Sequence, residues 1–212
     1  MTERPILFSA PMVRALLDGS KTQTRRVAKS VKHPDLGNMY DPGALVLERE
    51  PQHVIERACP YGQPGDRLWV RENWYQRGSW RKPAWPEAEW DDAYWDGSRA
   101  VEYAAEGEGK GTGWRSRPSI HMPRWASRIL LEVVSVRVER LNAISADDCR
   151  AEGIGQCDGL GTNAEILDLA RRMGTHTDEV LRYATLWEQI NGAGSWDANP
   201  WVWVVEFKRV QP

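Results

Sequence analysis

The stretch "RILLEVVSVRVERL", residues 128–141, carries the strongest β-strand signal in the chain. It is rich in β-branched side chains and partly alternates apolar with charged residues, which is typical of a strand with one buried face. The stretch "WVWVVEFKRV", residues 201–210, is also rich in valine and follows Pro200, a residue that is accepted at the entrance of a strand. Both stretches are therefore predicted to be strands.

A shorter strand is predicted over "TQTRRV", residues 22–27, because its residues alternate in character. Successive side chains of a strand point to opposite faces, so Thr22, Thr24 and Arg26 are expected to share one face. Two more short strands are predicted, "PILFS" at 5–9 and "RLWVRE" at 67–72.

Two short helices are predicted from their start and stop residues. Ser9 stands where an N-cap belongs, apolar residues follow it at helical spacing, and Gly19 supplies a left-handed stop. The sequence "SADD" at 145–148 is a capping-box pattern, which predicts a helix that ends at Gly153.

The remaining segments give weaker signals. Residues 163–191 carry two helical patterns, and Gly192 closes the second one. Residues 33–66 are predicted to be connecting structure, with turns at 41–43 and 61–67 where Pro and Gly occur together.

This order of elements predicts an α+β protein with a small mixed β-barrel and flanking helices, because the strands do not form repeated βαβ units. The 212 residues suit one domain over 1–212 with an insertion. That insertion is expected at about 73–118, where tryptophans are scattered among Pro, Gly and acids, as a long ordered loop or a small set of hairpins covering a site. A helical segment is expected at about 158–191.

Composition limits the function classes. No run of eighteen apolar residues is present to cross a membrane, and the first residues do not have the pattern of a signal peptide. The three cysteines (Cys59, Cys149 and Cys157) are odd in number, and the four histidines lack metal-ligand spacing. We therefore expect no disulfide framework, no metal site and a reducing cytoplasm.

Charge is close to balanced overall but uneven along the chain. A net charge of −2 argues against a protein that coats nucleic acid by charge alone. Two basic stretches stand out, and each is interpreted either as a solvated face or as a surface for phosphate. The first contains Arg14, Lys21, Arg25, Arg26, Lys29 and Lys32, and the second contains Arg115, Arg117, His121, Arg124 and Arg128.

Four motifs occur in a recognisable order: "GSKTQTRR" at 19–26, "PGDRLWV" at 64–70, "ISADDCRAEGI" at 144–154 and "WVWVVEF" at 201–207. In this order they resemble the ASCH family, whose barrel is similar to the PUA RNA-binding fold. The longer frame resembles the phage and prophage branch of that family. It comprises "PILFSAPMVRALLDGSKTQTRR", "CPYGQPGDRLWVRENW", "PSIHMPRWASRI" and "SWDANPWVWVVEF".

The resemblance implies two classes of function. Some members are proposed to bind RNA or to regulate, and some behave as ribonucleases. Small members are amidohydrolases that remove an acyl group from the exocyclic amine of cytidine, as in N4-acetylcytidine, without a metal or organic cofactor. Their lysine, threonine and glutamate correspond by motif to Lys21, Thr24 and Glu152. Asp147 and Asp148 lie on the same predicted helix, and the register of the motif favours Glu152.

The chemistry of these three residues suits amide hydrolysis, which needs a nucleophile, a base and donors for the developing oxyanion. Thr24 is expected to attack the acyl carbon, Lys21 to accept its proton, and Glu152 to orient Lys21 and relay the proton. Direct activation of water by Lys21 or Glu152 is an equally economical alternative. Residues three apart in a regular strand point to opposite faces, so Lys21 and Thr24 meet only if the chain bends after Gly19.

Eight further residues are weaker candidates for binding the substrate. Trp69 and Trp74 offer π faces on which a pyrimidine stacks, although packing in the core explains them as well. For the others, ordinary strand, ion-pair or loop contacts are the competing interpretation. The full set is Thr22, Arg26, Trp69, Arg71, Glu72, Trp74, His121 and Arg124.

Two readings of the function stay open at this point. The first is a cytoplasmic enzyme of a bacterium or a phage-infected cell, acting on a small nucleoside. The second is a module that binds single-stranded RNA or DNA in the same cleft through Lys21, Arg25, Arg26 and Arg124, with or without ribonuclease activity. Neither reading involves a membrane.

Overall fold

The computed structural model describes residues 1–107, 111–156, 172 and 177–211. Within these ranges the chain has an α+β architecture with a five-stranded sheet, a three-stranded sheet and a small two-stranded ribbon. The strands are β1 (Glu3–Leu7), β2 (Gln23–Val27), β3 (Val31–Lys32), β4 (Met39–Tyr40), β5 (Arg67–Arg71), β6 (Trp74–Arg81), β7 (Tyr94–Tyr103), β8 (Trp114–Arg117), β9 (Leu130–Arg140) and β10 (Trp201–Val210). The α-helices are α1 (Ala10–Asp18), α2 (Pro42–Leu47), α3 (Gln52–Ala58), α4 (Ala146–Ala151) and α5 (Asp178–Asn191).

The five-stranded sheet has the order β1-β5-β9-β10-β2. Only β1 and β5 run parallel, and the other neighbours are antiparallel. The two strongest strand predictions are confirmed as β9 and β10, which pair from Trp201–Arg140 to Val210–Leu130. The three shorter predicted strands are also present, with β1 beginning and ending two residues earlier than predicted.

Strand β10 contributes to two hydrophobic cores because its side chains alternate between the faces of the sheet. Trp203 and Val205 pack into a core that includes α1, α2 and α3. Val202 and Val204 pack into a second core with α4 and α5. The stretch of valines and tryptophans therefore reflects burial on both faces.

The prediction that residues 33–66 only connect other elements is wrong, because α2 and α3 lie there. Asp41, expected in a turn, is the N-cap of α2, and its carboxylate accepts the amide proton of Gly43 at 2.8 Å. Pro42 occupies the first turn of the helix, where its missing N–H costs nothing. An Asp-Pro pair thus starts a helix as readily as it starts a turn. The turn predicted at 61–67 is present, with the Asp66 amide bonded to the Gln63 carbonyl at 2.9 Å.

Most of the predicted helix boundaries are confirmed where the structure describes them. Gly19 follows α1 with a φ of 83°, and Gly192 follows α5. The capping box of α4 is formed, but the helix stops at Ala151, two residues before the predicted end. The first of the two helical patterns in 163–191 lies outside the described residues, apart from residue 172.

The tryptophan-rich segment predicted as a loop or a set of hairpins forms the three-stranded antiparallel sheet, in the order β7-β6-β8. Trp74, at the start of β6, packs with Met122 and Ala126 in a small separate cluster. The segment is therefore a hairpin unit with its own packing.

The five-stranded sheet does not close into a barrel within the described residues, because no hydrogen-bonded ladder joins its edge strands β1 and β2. A side chain spans this gap instead: Arg26 of β2 donates to the carbonyl of Leu7 in β1 at 2.6 Å. None of the helices within the described ranges has the length and apolar character needed to span a membrane.

Candidate active site

Lys21 lies in the turn between α1 and β2. Gly19 ends α1 in the left-handed conformation, which reverses the chain direction. Lys21 then forms an isolated antiparallel bridge with Glu152, whereas β2 begins only at Gln23. The chain bends after Gly19 and Lys21 precedes the regular strand, so strand alternation does not fix its orientation relative to Thr24.

Glu152 reaches this turn because of how α4 ends. It is the C-cap residue of α4, and Gly153 follows it with a φ of 80°. A Cβ atom on Gly153 would lie 2.8 Å from the Cβ of Ala15 in α1 and 3.1 Å from the Cβ of Lys21. Such distances are too short for carbon atoms, so only glycine lets the end of α4 approach the end of α1 this closely.

The ammonium group of Lys21 is held by Glu152 through two hydrogen bonds. Its Nζ donates to Oε2 of Glu152 at 2.8 Å and to the main-chain carbonyl of the same residue at 2.9 Å. The two side chains are 0% and 4% exposed, although the residues lie 131 positions apart in the sequence. Burial disfavours each charge alone, and the close partner favours both. Lys21 and Glu152 are therefore a coupled proton donor and acceptor with little access to water.

A cavity of about 70 Å³ opens beside Glu152. Thr24 and Arg25 line it on the side of β2, and Tyr183 and Trp187 line it from α5. A single water needs about 10–15 Å³ on the same measure, so the cavity has room for several waters or a short acyl group. The other lining residues are Met12, Arg26, Val27, Leu186, Ile190 and Asn191.

Arg25 is a central residue of this site. The sequence indicated it only as one of the cations of a basic cleft. Its Nη2 lies 2.7 Å from Oε1 of Glu139 and 3.3 Å from Oδ2 of Asp148, and its Nη1 lies 3.6 Å from Oε1 of Glu152. Burial works to lower the pKa of Arg25, but the Glu152 carboxylate and its acidic neighbours outweigh burial and raise it. Nothing in the local sequence distinguishes Arg25 from Arg26, because its three acidic partners come from β9 and α4.

Polar atoms of this site lack partners. Oε1 of Glu152 and the Nε and Nη1 atoms of Arg25 are buried and have no hydrogen-bond partner among the described residues. Buried polar atoms are normally satisfied, so such exceptions mark places where water or a ligand binds. Burial, and then the nearby Glu152 carboxylate, hold the pKa of Tyr183 well above its usual range, so its hydroxyl keeps its proton at neutral pH. The site thus presents N–H donors and one carboxylate oxygen to a polar ligand.

Arg26 is the one weaker candidate that lines the same cavity. Its guanidinium lies over the Phe8 ring at 5.2 Å from the centroid, and the Nζ of Lys21 lies 5.5 Å from the same centroid. Phe8 is 4% exposed, so it forms an apolar support for both cations.

Thr22 does not share a face with Thr24, contrary to the prediction. Its amide donates to the carbonyl of Ala151 at the end of α4, and its own carbonyl accepts from the amide of Phe207 in β10. The main chain of Thr22 is thus held between these two elements. The Thr22 side chain is consequently exposed and lines a separate groove beside Asp148.

The candidates at the end of β5 are structural in their contacts. Arg71 stacks on Trp69 at 4.6 Å from a ring centroid. Glu72 does not pair with Arg71, because Arg128 binds both of its oxygens, at 3.0 and 3.1 Å. Burial is the largest effect on the Glu72 carboxyl and raises its pKa against the opposing influence of Arg128. None of these residues lines the cavity beside Glu152.

The last three candidates lie apart from that cavity as well. Trp74 and the exposed His121 line a second pocket, of about 230 Å³, beside Trp125. Arg124 forms an ion pair with Glu3, with 2.7 Å between Nε and Oε2. Sequence motifs give the positions of these residues along the chain, but they do not predict which of the side chains are in contact.

Within the described residues, no cluster of three or more His, Cys, Asp or Glu side chains has the arrangement of a metal site. The chain matches no protein-family model, no curated protein and no solved structure.

Proposed function

We propose that this protein is an amidohydrolase that removes an acyl group from the exocyclic amine of N-acylated cytosine nucleosides. The observation that carries the proposal is the buried 2.8 Å contact between Lys21 and Glu152, together with a cavity that Glu152 and Thr24 both line. These are the three residues to which the ASCH resemblance assigns catalysis. The same resemblance implies a PUA-like barrel, and the Arg26 bridge between β2 and β1 supports such a closure.

In the proposed reaction the Thr24 hydroxyl attacks the acyl carbon and its proton passes to the Lys21–Glu152 pair. The pair then delivers that proton to the cytosine amine as the C–N bond breaks. Water, deprotonated by the same pair, attacks the resulting threonine ester; as the C–O bond to Thr24 breaks, the pair returns the proton to the Thr24 oxygen and the acid is released. In an equally balanced variant, the pair activates water directly and no ester forms.

Arg25 strengthens the case for chemistry at this cavity. Its buried, unpartnered N–H groups are donors for the oxygen that becomes negative as the acyl carbon turns tetrahedral. At a buried site, such a donor contributes more than it would in solution. The Nη1 atom of Arg25 also lies 3.6 Å from Oε1 of Glu152, so one guanidinium is close to both the general base and the oxyanion of the proposed reaction.

The size of the cavity points to a short acyl group. About 70 Å³ holds a group of acetyl size, and the nucleoside itself must lie at the mouth. Arg26, Ile190 and Asn191 are at least partly exposed there, and they supply a charge, an apolar surface and an amide for the nucleoside.

The alternative of a nucleic-acid clamp in the same cleft has less support. Lys21 and Arg25 are buried and ion-paired. Arg124 binds Glu3 at the start of β1, whereas Arg26 contacts the other end of that strand, about 13 Å away at 3.3 Å per residue. These four cations do not make one exposed track for a phosphate backbone.

The test is to incubate the purified protein with N4-acetylcytidine and to measure the release of cytidine by chromatography. We expect turnover in the native protein and a loss of about a hundredfold or more in Lys21→Ala, Thr24→Val and Glu152→Gln. Thr185→Val is the matched control: this buried threonine on α5 donates to the Leu181 carbonyl at 2.9 Å and does not line the cavity.

Release of cytidine that persists in Thr24→Val but stops in Glu152→Gln would select direct water attack. A native protein that leaves N4-acetylcytidine intact, or equal rates in all four folded variants, would refute the proposal.

A further inference from the structure

One face of the small three-stranded sheet is covered with aromatic and cationic side chains. Directly opposed residues of antiparallel strands point to the same face, and Trp80 is opposed to Trp95 while Gln76 is opposed to Arg115. Trp74 shares this face and meets Trp125 edge to face at 6.0 Å. We name it the tryptophan face and define it by Trp74, Trp80, Trp95, Arg99, Arg115 and Trp125.

Guanidinium groups already lie against the indoles of this face. The Arg115 guanidinium is 5.0 Å from the ring centroid of Trp80 and 6.0 Å from that of Trp95. Arg99 lies 5.7 Å from the ring centroid of Trp125. Trp80 and Trp125 are nevertheless 53% and 44% exposed. Large aromatic rings that remain this exposed are typical of a binding surface.

The formal charge of the tryptophan face is positive. Asp96 and Glu102 of β7 are opposed to Ser79 and Tyr75, and so point to the other side of the sheet. Asp96 forms its ion pair there with Arg81. No carboxylate within the described part of the chain forms an ion pair with Arg99 or Arg115. The two guanidinium groups are therefore available to phosphate.

The face also contains the 230 Å³ pocket between Trp74, Trp125 and His121. Gln76 fixes Arg117 at its edge by accepting two hydrogen bonds, at 3.3 and 3.0 Å. Trp74 is 3% exposed, lines the pocket, and its indole N–H has no hydrogen-bond partner among the described residues. Flat aromatic walls with polar donors at the edge match a nucleobase, which has π faces and a rim of acceptors.

We infer that the tryptophan face binds single-stranded nucleic acid. Bases stack on Trp80 and Trp125, and phosphates contact Arg115 and Arg99 between these two platforms. Stacking on aromatic side chains combined with arginine contacts is a sequence-tolerant mode of recognition. The face shares no residue with the lining of the cavity beside Glu152, so this inference stands independently of the proposed hydrolysis.

The test uses the full-length protein and a fluorescein-labelled oligothymidylate of about twelve nucleotides, within the site sizes typical of such proteins. Fluorescence anisotropy is measured at several salt concentrations. We expect Trp80→Ala and Trp125→Ala each to weaken binding about tenfold, the loss typical of one stacked base. Trp85→Ala removes an equally exposed tryptophan outside the face and should bind as the native protein does.

Arg115→Gln gives a second measurement that does not depend on stacking. Loss of one phosphate contact should reduce the slope of log affinity against log salt by about 0.7 for a single strand. Arg77→Gln is the matched control, because Arg77 is exposed on β6 and points to the opposite face. Thermal unfolding by circular dichroism verifies that each variant is folded.

Three results would overturn the inference: no binding by the native protein at low salt, native affinity in folded Trp80→Ala and Trp125→Ala, or equal affinity for a blunt duplex, whose bases are not free to stack. Hydrolysis of N4-acetylcytidine is measured in the same variants. If Trp80→Ala hydrolyses N4-acetylcytidine at the native rate but binds the oligonucleotide weakly, the two sites are separate. Because each activity is measured directly, the absence of one does not affect the test of the other.

Discussion

At the scale of single residues, the carboxylate of Glu152 stands between two cations. Oε2 contacts Lys21 at 2.8 Å, and Oε1 faces Arg25 at 3.6 Å. A buried carboxylate costs several kcal/mol unless it is paired, and removal of one partner from a buried pair typically costs about 3 kcal/mol. Each cation therefore stabilises the fold and sets the orientation of the Glu152 carboxylate.

Substitution of Arg25 tests this arrangement. We expect Arg25→Gln to lower kcat/KM for N4-acetylcytidine by about a hundredfold, because both the oxyanion donor and the support of Glu152 are lost. Arg25→Lys restores a charge without the planar fork and should recover only part of the rate. Steady-state kinetics on the folded variants provide the measurement.

The matched control for Arg25 is Arg137→Gln. Arg137 also pairs with Asp148 and Glu139, at 3.2 and 3.4 Å, but it makes no contact with Glu152 and is 33% exposed. Its loss should leave kcat/KM near the native value. If Arg137→Gln lowers kcat/KM as much as Arg25→Gln does, the effect of Arg25 comes from the stability of the acidic cluster and not from its contact with Glu152.

At the scale of elements, the site depends on two glycines that end helices. Gly19 after α1 and Gly153 after α4 have nearly equal φ angles, of 83° and 80°. They differ in their surroundings, since a Cβ on Gly19 meets nothing within 4 Å, whereas a Cβ on Gly153 collides with Ala15. The two positions therefore separate backbone strain from steric collision.

We expect Gly19→Ala to destabilise the protein by about 1 kcal/mol, the cost of a left-handed backbone for a residue with a Cβ. Gly153→Ala adds the collision with α1, so it should cost more and should move Glu152 away from Lys21. Urea unfolding measures the first effect and N4-acetylcytidine turnover the second. Equal turnover in both folded variants would show that the α1–α4 contact does not set the site.

The same scale explains why the tryptophan-rich sheet is a unit of its own. Among the strands that the structure describes, its three pair with one another and with no other strand, and Trp74 packs in a separate small cluster. The predicted cover over the candidate site is not observed, because no residue of this sheet lines the cavity beside Glu152; α5 contributes that wall instead.

At the scale of the whole molecule, β10 joins two cores that lie on opposite faces of one sheet. Val204 belongs to the core with α4 and α5, and Val205 belongs to the core with α1. Both side chains are 0% exposed. Loss of packing on either face removes support from the same strand, so the two cores are expected to unfold together.

We expect Val204→Ala and Val205→Ala each to lower the free energy of unfolding by about 1–2 kcal/mol through lost burial and a residual cavity. Each should keep a single unfolding transition. Urea titration followed by far-ultraviolet circular dichroism and by tryptophan fluorescence checks this. Separated transitions for the two signals in either variant would contradict the coupling through β10.

The sequence by itself determined the local elements of this protein. Strands β9 and β10, the stop at Gly19 and the capping box of α4 were all predictable, because β-branched composition, caps and glycine stops act over a few residues. The helices within 33–66 were missed, since an Asp-Pro start at Asp41 has the same local signature as a turn.

Only the tertiary structure decided which side chains meet. Lys21 and Glu152 are 131 positions apart, and Arg25 and Glu139 are 114 apart, so no periodicity or spacing encodes their contact. Local spacing likewise does not predict that Trp74 and His121 lie away from the cavity, or that Thr22 is exposed. Pairing across a sheet and packing of helix ends are set by the free energy of the whole core, which is minimised over all segments at once. Local patterns therefore predict which elements form, and the packing of the entire chain selects the residues that share a site.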